Sequence, residues 1–275
     1  MPELPEVETT RRGIATIMPG HVLKQFVVYE PRMRWPVPSD LGRNISGHEV
    51  QSCERRGKYL LINFAHGTQI IHLGMSGSLR RVTPDEPRRK HDHAEWIFDH
   101  ARFLLHDPRR FGAILWHDNA DGPLAAHILL ARLGIEPFDP LFTPGYLHEH
   151  LRGKTLAIKQ ALLAGNIVVG VGNIYASEAL FRARINPRTA AGAISLERCR
   201  RLAAAIRQTL GEALESGGST LRDYVNATGQ PGAYFEVYAA VYEKANQPCG
   251  ICATPIKRIV QGQRATYYCP KCQRR

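Results

Sequence analysis

The chain has 275 residues, 44% of them hydrophobic, which is enough for one large domain or two smaller ones with ordinary cores. Lysine and arginine number 36 against 25 acidic residues, and the resulting formal net charge of +11 fits either a nucleic-acid partner or a merely basic surface. No apolar run approaches the roughly 18 residues of a membrane span, and the acidic N-terminus is unlike a secretory signal, so we expect a cytoplasmic protein with no membrane partner.

The first segment, MPELPEVE, predicts a helix over residues 3–17. Proline and acidic residues are favoured in a first helical turn, and Gly20 lies beyond the end of the pattern. A second interpretation is chemical. If Met1 is removed, Pro2 carries a free secondary amine directly before Glu3. This segment by itself leaves both interpretations open.

From about Val22 to Trp116 the sequence changes to short, β-rich segments interrupted by glycine, proline, aspartate or asparagine. This pattern of short segments separated by turn residues predicts strands arranged as a sandwich or a barrel. The charged and proline-rich stretch 83–93 is predicted to be a surface loop. The predicted strands lie in HVLKQFVVYE, GKYLLINF, TQIIHLGM, AEWIFD, RFLLHD and GAILWH.

After Asp118 helical patterns dominate, so the predicted fold class is α+β. The stretch 119–145, rich in glycine, proline and aspartate, is the expected hinge between the two halves. The last segment, 241–275, holds seven basic residues and one acid. The predicted helices lie in GPLAAHILLARLG, GYLHEHLRG, TLAIKQALLAG, NIYASEALFRA and SLERCRRLAAAIRQTLGEALESG.

Two loop tips carry residues that would suit contact with a DNA duplex. HLGMSGSL presents Met75, and HDPRRFGA presents Arg109 and Phe111. A protein that wedges a duplex open needs apolar groups that enter the base stack and an arginine that replaces lost base hydrogen bonds. Taken alone, methionine and phenylalanine near strand ends are more often core residues.

Two further segments are ambiguous from their residues. The turn in VVGVGNIYASEAL places backbone N–H groups at a helix start with Asn173 at the cap. This predicts either a phosphate site or a tight turn between packed helices, since neither the P-loop nor the dinucleotide fingerprint is matched. Lys58 follows a glycine turn in RRGKYLL, where a solvated lysine is the default interpretation.

Four cysteines near the C-terminus have the spacing of a metal site, C-x2-C-x16-C-x2-C. Each C-x2-C pair can present two thiolates to one tetrahedral ion, and the intervening residues suit a β-hairpin. Disulfides or redox thiols are the alternative, which two matched pairs in a cytoplasmic chain make less favourable. We therefore predict one structural Zn²⁺ per chain, with Cys53 and Cys199 as packing residues. The predicted ligands are Cys249, Cys252, Cys269 and Cys272.

Eight motifs, taken together and in chain order, resemble the formamidopyrimidine-DNA glycosylase family. They extend from residue 2 to residue 272, which is nearly the whole chain. Each motif is weak or moderate by itself, but chance does not supply all of them in this order. The motifs are PELPEVE, RGKYL, HLGMSG, KHDH, DPRRFG, GVGNIYASE, GGSTLRDY and QRATYYCPKC.

The resemblance implies a bacterial base-excision repair enzyme whose partner is double-stranded DNA containing oxidised bases. It would remove oxidised purines, chiefly 8-oxoguanine and formamidopyrimidines, and then cut the abasic strand by β,δ-elimination. The implied architecture is an N-terminal helix with a two-sheet β-sandwich (1–130), a helix–two-turn–helix DNA-binding domain (131–240) and a zinc-finger β-hairpin (241–275). DNA would lie in the cleft between the halves of a monomer.

The resemblance also implies catalytic roles. Pro2 matches the nucleophile, Glu3 the general acid/base that opens the sugar ring, and Glu6 a supporting residue near the same helix face. Lys58 matches a proton donor in the glycosylase and β-elimination steps. Arg264 matches an arginine that grips phosphate beside the lesion and assists δ-elimination.

The remaining implied contacts are to DNA. Met75, Arg109 and Phe111 match a triad that fills the gap left by a flipped nucleotide, and GGSTLRDY matches a loop that closes over the extruded base. The zinc ion would be structural, because four thiolates leave no coordination position for water. The residues matched to phosphate or other DNA contacts are His91, Arg109, Lys154 and Asn173.

Two other functions compete with this one. An endonuclease VIII-like glycosylase of the same superfamily would prefer oxidised pyrimidines, but such proteins usually have glycine where Leu4 stands and lack the DPRRFG pattern. A non-catalytic zinc-ribbon DNA-binding protein would explain the charge and the cysteines. It would not explain Pro2 and Glu3 or the two loop tips.

Overall fold

The computed structural model describes residues 2–219 and 232–274. These residues form two compact units. The first contains the described residues of Met1–Ala131 and Ser216–Ala233, and the second contains those of Arg132–Glu215 and Tyr234–Arg275. Within the described parts of the chain, no helix has both the length and the apolar character needed to cross a bilayer.

The described part of the first unit contains eight strands in two antiparallel sheets and two α-helices, α1 (Leu4–Ala15) and α2 (Leu41–Ile45). The strands are β1 (Gln25–Val28), β2 (Ser52–Arg56), β3 (Tyr59–Phe64), β4 (Gly67–His72), β5 (Ser78–Val82), β6 (Asp92–Ile97), β7 (Arg102–His106) and β8 (Ala113–Asp118). One sheet has the order β1-β6-β7-β5 and the other β2-β3-β4-β8. Helix α1 packs against β2, β3 and β5.

Both sheets contribute side chains to one hydrophobic core, so the first unit is a β-sandwich. Phe26 and Trp96 from one sheet and Ile62 and Ile71 from the other belong to the same buried cluster. Val7 of α1 joins them, which places the N-terminal helix on the same core. The α+β prediction and the sandwich prediction are confirmed.

The second unit is helical and ends in a two-stranded hairpin. Helix α6 packs against α3 and α5, because Leu202, Ile206 and Leu210 recur at helical spacing and are all buried. Helix α5 also contacts the second strand of the hairpin. The elements are α3 (Pro144–Leu151), α4 (Ile158–Leu163), α5 (Asn173–Arg182), α6 (Leu196–Glu215), α7 (Tyr234–Tyr238), β9 (Lys257–Gln261) and β10 (Arg264–Tyr268).

One predicted helix is wrong, and one predicted loop is present but two residues shorter than expected. Residues 122–134 do not form an α-helix but contain a single 3-10 turn at Leu124–Ala126. Ile128 in this stretch is 77% exposed, and a short helix without a buried face is marginal in water. The loop predicted at 83–93 ends at residue 91, because β6 begins at Asp92, whose fully buried carboxylate accepts a hydrogen bond from Arg80 at 2.8 Å.

Candidate active site

The start of α1 presents a row of buried polar groups. Glu3 is the N-cap residue and Leu4 the first residue of the helix, so Pro2 lies just outside it. Pro2 is buried, and Glu3 and Glu6 are 1% and 2% exposed. The Glu3 N–H donates to Glu6 Oε2 at 2.7 Å, which satisfies an amide that the helix itself leaves without an acceptor. The peptide that joins Pro2 to Glu3 is therefore held in place.

Glu6 also holds a segment that is distant in sequence. Its Oε1 accepts hydrogen bonds from the Ser219 N–H at 2.7 Å and from Ser219 Oγ at 3.0 Å. Gly218 lies against the same carboxylate, since a Cβ there would stand 3.0 Å from Glu6 Oε1. Glu6 thus joins the Glu3 amide to the first residues of the GGSTLRDY segment. Residues 220–224 of that segment lie outside the described residues.

The turn that carries Lys58 is tied to α1. Lys58 follows Gly57 in the two-residue turn between β2 and β3. Arg55 donates from Nη1 to the Gly57 carbonyl at 2.9 Å and from Nε to Glu8 Oε2 at 3.1 Å. Burial raises the pKa of Glu8, but hydrogen bonds and charges from Arg11 and Arg55 outweigh it and leave the pKa below its ordinary value. An ionised Glu8 therefore fixes the Lys58 turn to the helix.

His72, which has no predicted role, lies beside this turn. It pairs with Tyr59 in the register of β3 and β4, and the Gly74 N–H donates to its Nδ1 at 3.0 Å. Burial, followed by the charges of Lys58 and Arg34, lowers the pKa of His72 to about 4. The ring is therefore neutral near pH 7, and Nδ1 can accept a hydrogen bond. The only sequence signal for His72 is its position at the end of an apolar strand in HLGMSG. Many core histidines occupy such positions, so this signal is weak.

The two wedge tips are the Met75 tip (72–77) and the Phe111 tip (107–112). Met75 is 38% and Phe111 43% exposed, and the Arg109 guanidinium carbon lies 5.0 Å from the centroid of the Phe111 ring. Gly74 brings the tips into contact. It has a φ of +66°, and a Cβ there would lie 2.4 Å from Gly112 N and 2.5 Å from the Phe111 carbonyl carbon. The three residues predicted to form a wedge thus lie on adjoining tips.

His91 lies at the end of the loop before β6. Its half-buried ring has its centroid 5.9 Å from that of His106 and 6.2 Å from that of His93. The strand start beneath it is fixed by Asp92, which contacts Arg80 at 2.8 Å and His106 Nδ1 at 2.9 Å. His91, which is predicted to contact DNA, therefore has a fixed backbone even though it ends a charged surface loop.

In the second unit, Arg264 is the exposed first residue of β10. The carbonyl of the next residue, Ala265, accepts from Lys159 Nζ at 3.2 Å and from Asn173 Nδ2 at 3.0 Å. Asn173 is not the helix cap that the sequence predicted. Gly172 is the N-cap of α5, so the Asn173 side chain reaches the hairpin instead. Lys159 is fully buried, and the sequence predicted no role for it.

Lys154 lies between α3 and α4 with its side chain exposed. Its backbone is held on both sides of the residue, because its N–H donates to the Leu151 carbonyl at 3.1 Å and its carbonyl accepts from the Gly192 N–H at 2.8 Å. A fixed backbone with an exposed ammonium group suits the predicted phosphate contact.

Sequence reasoning missed Glu178 of α5. Its fully buried carboxylate accepts from three consecutive backbone N–H groups, at 2.8 Å from Ala240, 3.0 Å from Val241 and 2.8 Å from Tyr242. Burial raises the pKa of Glu178, although these hydrogen bonds act to lower it. Glu178 anchors the segment that leads into the hairpin. The sequence signal that could have identified it is a single glutamate among the apolar residues of a helix.

Four thiols converge at the end of the hairpin. The ligand atoms of Cys249, Cys252, Cys269 and Cys272 all lie within 4.8 Å of one another. The Cys249 and Cys272 sulfurs are 3.9 Å apart, and those of Cys252 and Cys269 are 3.4 Å apart. Tetrahedral Zn²⁺ with Zn–S distances of about 2.3 Å places sulfurs about 3.8 Å apart, so the set fits zinc. Hydrogen bonds from Thr254 lower the pKa of Cys252 to about 6, whereas burial raises the pKa of Cys269 and Cys272.

The two remaining cysteines are buried and unpaired within the described residues. Burial raises the pKa of Cys53 to about 12 and that of Cys199 to about 11, so neither is a ready thiolate at neutral pH. Their prediction as packing residues is confirmed.

Three protein-family models match the chain. Residues 1–114 match the formamidopyrimidine-DNA glycosylase N-terminal domain, and residues 133–225 match the formamidopyrimidine-DNA glycosylase H2TH domain. Residues 246–275 match a zinc finger found in FPG and IleRS. The third match and the geometry of the cysteines together identify one structural zinc site.

Similar proteins match over their full length. The formamidopyrimidine-DNA glycosylase of Bordetella pertussis is 67% identical over 275 residues, which are 100% of both chains. The crystal structure of MutM (Fpg) from Thermus thermophilus is 38% identical with a TM-score of 0.88, covering 99% of this chain and 98% of that one. Lactococcus lactis Fpg in complex with DNA containing an abasic site is 33% identical with a TM-score of 0.91, covering 99% of this chain and 100% of that one.

Proposed function

The chain belongs to the formamidopyrimidine-DNA glycosylase family and is a DNA glycosylase of base excision repair, and from this premise we propose that its chemistry begins at Pro2. Removal of Met1 frees the proline nitrogen, and Glu3, Lys58 and Arg264 act with it. The observation that carries the proposal is the hydrogen bond from the Glu3 N–H to the buried Glu6 carboxylate, which fixes the peptide between nucleophile and acid/base.

The nitrogen of an N-terminal proline is a secondary amine with a pKa of about 8, so an appreciable fraction is unprotonated at neutral pH. Its lone pair forms a bond to C1′ of the damaged nucleotide, and the base leaves with the electron pair of the C1′–N bond. The nitrogen then gives its proton to the Glu3 carboxylate. When the sugar ring opens, the product is an iminium ion with no N–H to shed, which remains cationic and accepts electrons during elimination.

Glu3 provides the acid/base function in this scheme. It gives a proton to O4′ as the C1′–O4′ bond breaks, and its 1% exposure keeps water away from that step. Lys58 supplies a proton to the departing groups during base release and β-elimination. In β-elimination a C2′ proton is removed and the C3′–O bond breaks, so that the 3′ phosphate leaves.

The other matched residues hold the DNA. Arg264 grips a phosphate and assists δ-elimination, and the bonds from Lys159 and Asn173 to the neighbouring Ala265 carbonyl fix the strand that presents it. The wedge tips fill the space left by the flipped nucleotide. Further DNA contacts are made by His91, Arg109, Lys154 and Asn173.

We assign the functional parts of the chain as a catalytic sandwich domain at 1–130, a DNA-binding helical domain at 131–240 and a zinc finger at 241–275. The substrates are oxidised purines in duplex DNA, and the enzyme acts in the bacterial cytoplasm. Base release is followed by strand cleavage at the abasic site, because opening of the sugar ring after base release forms the iminium ion that accepts electrons during elimination.

Trapping with borohydride tests this proposal, because it reduces an iminium ion to a stable protein–DNA adduct. Wild type is expected to be trapped on a duplex containing 8-oxoguanine, and Pro2→Gly much less. Pro5→Ala, the matched proline in the first turn of α1, should be trapped like wild type. Equal trapping of Pro2→Gly would contradict the role of Pro2. Faster release of thymine glycol than of 8-oxoguanine would contradict the purine preference.

A further inference from the structure

Asp107, at the start of the Phe111 tip, has its main chain bonded in three directions. It is 1% exposed and directly follows β7. Its N–H donates to the His91 carbonyl at 2.9 Å. Its carbonyl accepts from the Arg110 N–H at 3.1 Å and from His93 Nε2 at 2.8 Å. The first residue of the tip is therefore fixed to the start of β6 and to Arg110 within the tip.

The Asp107 side chain closes the same tip at its other end. Its Oδ2 accepts from the Gly112 N–H at 2.8 Å. The Gly112 carbonyl in turn accepts from the Arg34 N–H at 3.2 Å. A Cβ on Gly112 would lie 2.8 Å from the His72 carbonyl oxygen and 3.0 Å from Asp107 Oδ2. Gly112 is thus confined between the carboxylate and the root of the Met75 tip.

A shift of Gly112 would move both tips. The Cβ position of Gly74 is 2.4 Å from Gly112 N, so the two backbones are in direct contact there. Between the ends of the Phe111 tip, Arg110 has a φ of +55°, a left-handed conformation that is unfavourable for a residue with a Cβ. Such a tip needs anchors at both ends, and Asp107 supplies one at each.

Only one of the two carboxylate oxygens of Asp107 takes part in these bonds. Among the described residues, Asp107 Oδ1 is shielded from solvent and has no hydrogen-bond partner. A buried carboxylate with an unsatisfied oxygen is destabilising. What it supplies in return is a charge-assisted acceptor for one backbone N–H, which is a short and strongly directional bond.

We propose that Asp107 is the positioning residue of the duplex wedge. It sets the point at which the Phe111 tip meets the Met75 tip, so that the wedge enters DNA with its backbone already ordered. The exposed side chains of Met75 and Phe111 remain able to adapt to different neighbouring bases. This inference rests on the wedge role of Met75, Arg109 and Phe111 in the proposed function.

The test measures affinity for a duplex that contains tetrahydrofuran, an abasic analogue that cannot be cleaved, and for the same duplex without it. Asp107→Ala is expected to bind the tetrahydrofuran duplex about tenfold more weakly and the undamaged duplex within about twofold of wild type. Asp107→Asn keeps an oxygen that can accept from Gly112 and should recover most of the loss. Val82→Ala, in the same sheet but away from the tips, controls for loss of stability.

A double-mutant cycle with Phe111→Ala separates positioning from general damage. If Asp107 acts through the wedge, adding Asp107→Ala to Phe111→Ala should weaken lesion binding by less than about twofold. Additive losses, or an equal loss in Val82→Ala, would overturn the inference. If Asp107→Ala does not fold, Gly74→Ala, whose Cβ would push the tips apart, should show the same selective loss. Wild-type lesion affinity in Gly74→Ala would then overturn it.

The same measurements distinguish the two levels of the proposal. Unchanged tetrahydrofuran binding in Phe111→Ala would refute the wedge role itself and, with it, the role of Asp107. Weakened binding in Phe111→Ala together with wild-type binding in Asp107→Ala would refute the positioning role and leave the wedge intact.

Discussion

The start of α1 and the two wedge tips lie in the same unit but hold their functional groups in opposite ways. At the helix start the side chains are buried, with Glu3 and Glu6 at 1% and 2% exposure and a hydrogen bond between them. At the tips the backbone is confined, while Met75 and Phe111 remain 38% and 43% exposed. One region buries its functional side chains, and the other confines the backbone beneath exposed side chains.

The difference follows from what each region does in the proposed function. Proton transfer and nucleophilic attack need charged groups at set distances in a dry environment, so reorganisation must be avoided at the side chain itself. A wedge meets a different base pair at every lesion. A flexible apolar residue such as methionine can adapt to each of them. This favours binding only if the backbone of the tip is already ordered before DNA binds. Substitutions at the helix start should therefore change rates, and substitutions at the tips should change affinity.

The largest effect is expected for Glu3→Gln. An amide has the same shape but cannot transfer a proton to O4′, so single-turnover base release should fall by about 10²- to 10⁴-fold. Affinity for the tetrahydrofuran duplex should stay near that of wild type. Glu54→Gln, an exposed carboxylate on β2, is the matched control and should retain full activity. A parallel loss of lesion affinity in Glu3→Gln would show that Glu3 also contributes to binding, and it would contradict a purely chemical role for Glu3.

Glu6→Ala is expected to weaken both the fold and the chemistry. The Glu3 N–H, the Ser219 N–H and Ser219 Oγ would lose their acceptor. Leaving such buried donors unsatisfied should lower the free energy of unfolding by roughly 2–3 kcal/mol, measured by urea denaturation. Base release should slow as well, because the peptide next to Pro2 is freed. If Glu6→Ala is destabilised but releases the base at the wild-type rate, the hydrogen bond between the Glu3 N–H and Glu6 supports only the fold.

Local patterns in the sequence predict the elements of both regions. Pro2 and the acids mark the start of α1, and the cysteine spacing marks the zinc site, because each depends on residues close together in the chain. The bonds that position the groups are different. Glu6 to Ser219 and Arg55 to Glu8 join residues far apart in sequence. No periodicity or spacing encodes such pairs.

The elements that the sequence predicts wrongly also depend on contacts between distant residues. The apolar residues of 122–134 fit a helical pattern, but among them only Leu130 is buried, and packing rather than propensity decides such a segment. β2 and β5 were missed because arginines and glutamates interrupt their apolar residues. In β5, Arg80 is buried beside Asp92, a pairing that becomes apparent only once the sheet is assembled.

His72 is the first residue of the Met75 tip, and it also lies beside the Lys58 turn, which Arg55 joins to α1. Its pKa is about 4 in the folded protein against an ordinary value of 6.5, so protons bind the unfolded chain more tightly. Its contribution to stability is complete above pH 6.5 and is lost as the pH falls toward 4. At pH 5 the loss should reach up to about 2 kcal/mol.

Urea denaturation at pH 7.5 and pH 5.0 measures this loss. His72→Asn keeps an oxygen near the position of Nδ1 but cannot be protonated, so its stability should fall less than that of wild type on acidification. His150→Asn, which replaces an exposed histidine on α3, should behave like wild type. Equal acid destabilisation of His72→Asn and wild type would place the acid-sensitive group elsewhere.

The smallest effect is expected for Met75→Ala, which shortens one adaptable side chain without touching the backbone that Gly74 and Gly112 fix. The tetrahydrofuran duplex should be bound about fivefold more weakly, since part of the apolar surface entering the stack is lost. Single-turnover base release at saturating enzyme should remain within about twofold of wild type, because the α1 groups are unaffected. Ile128→Ala removes a 77% exposed apolar side chain of the same unit and should change neither quantity. A fall in rate without a fall in affinity would mean that Met75 acts in the chemistry, and the division between buried side chains and confined backbone would no longer hold.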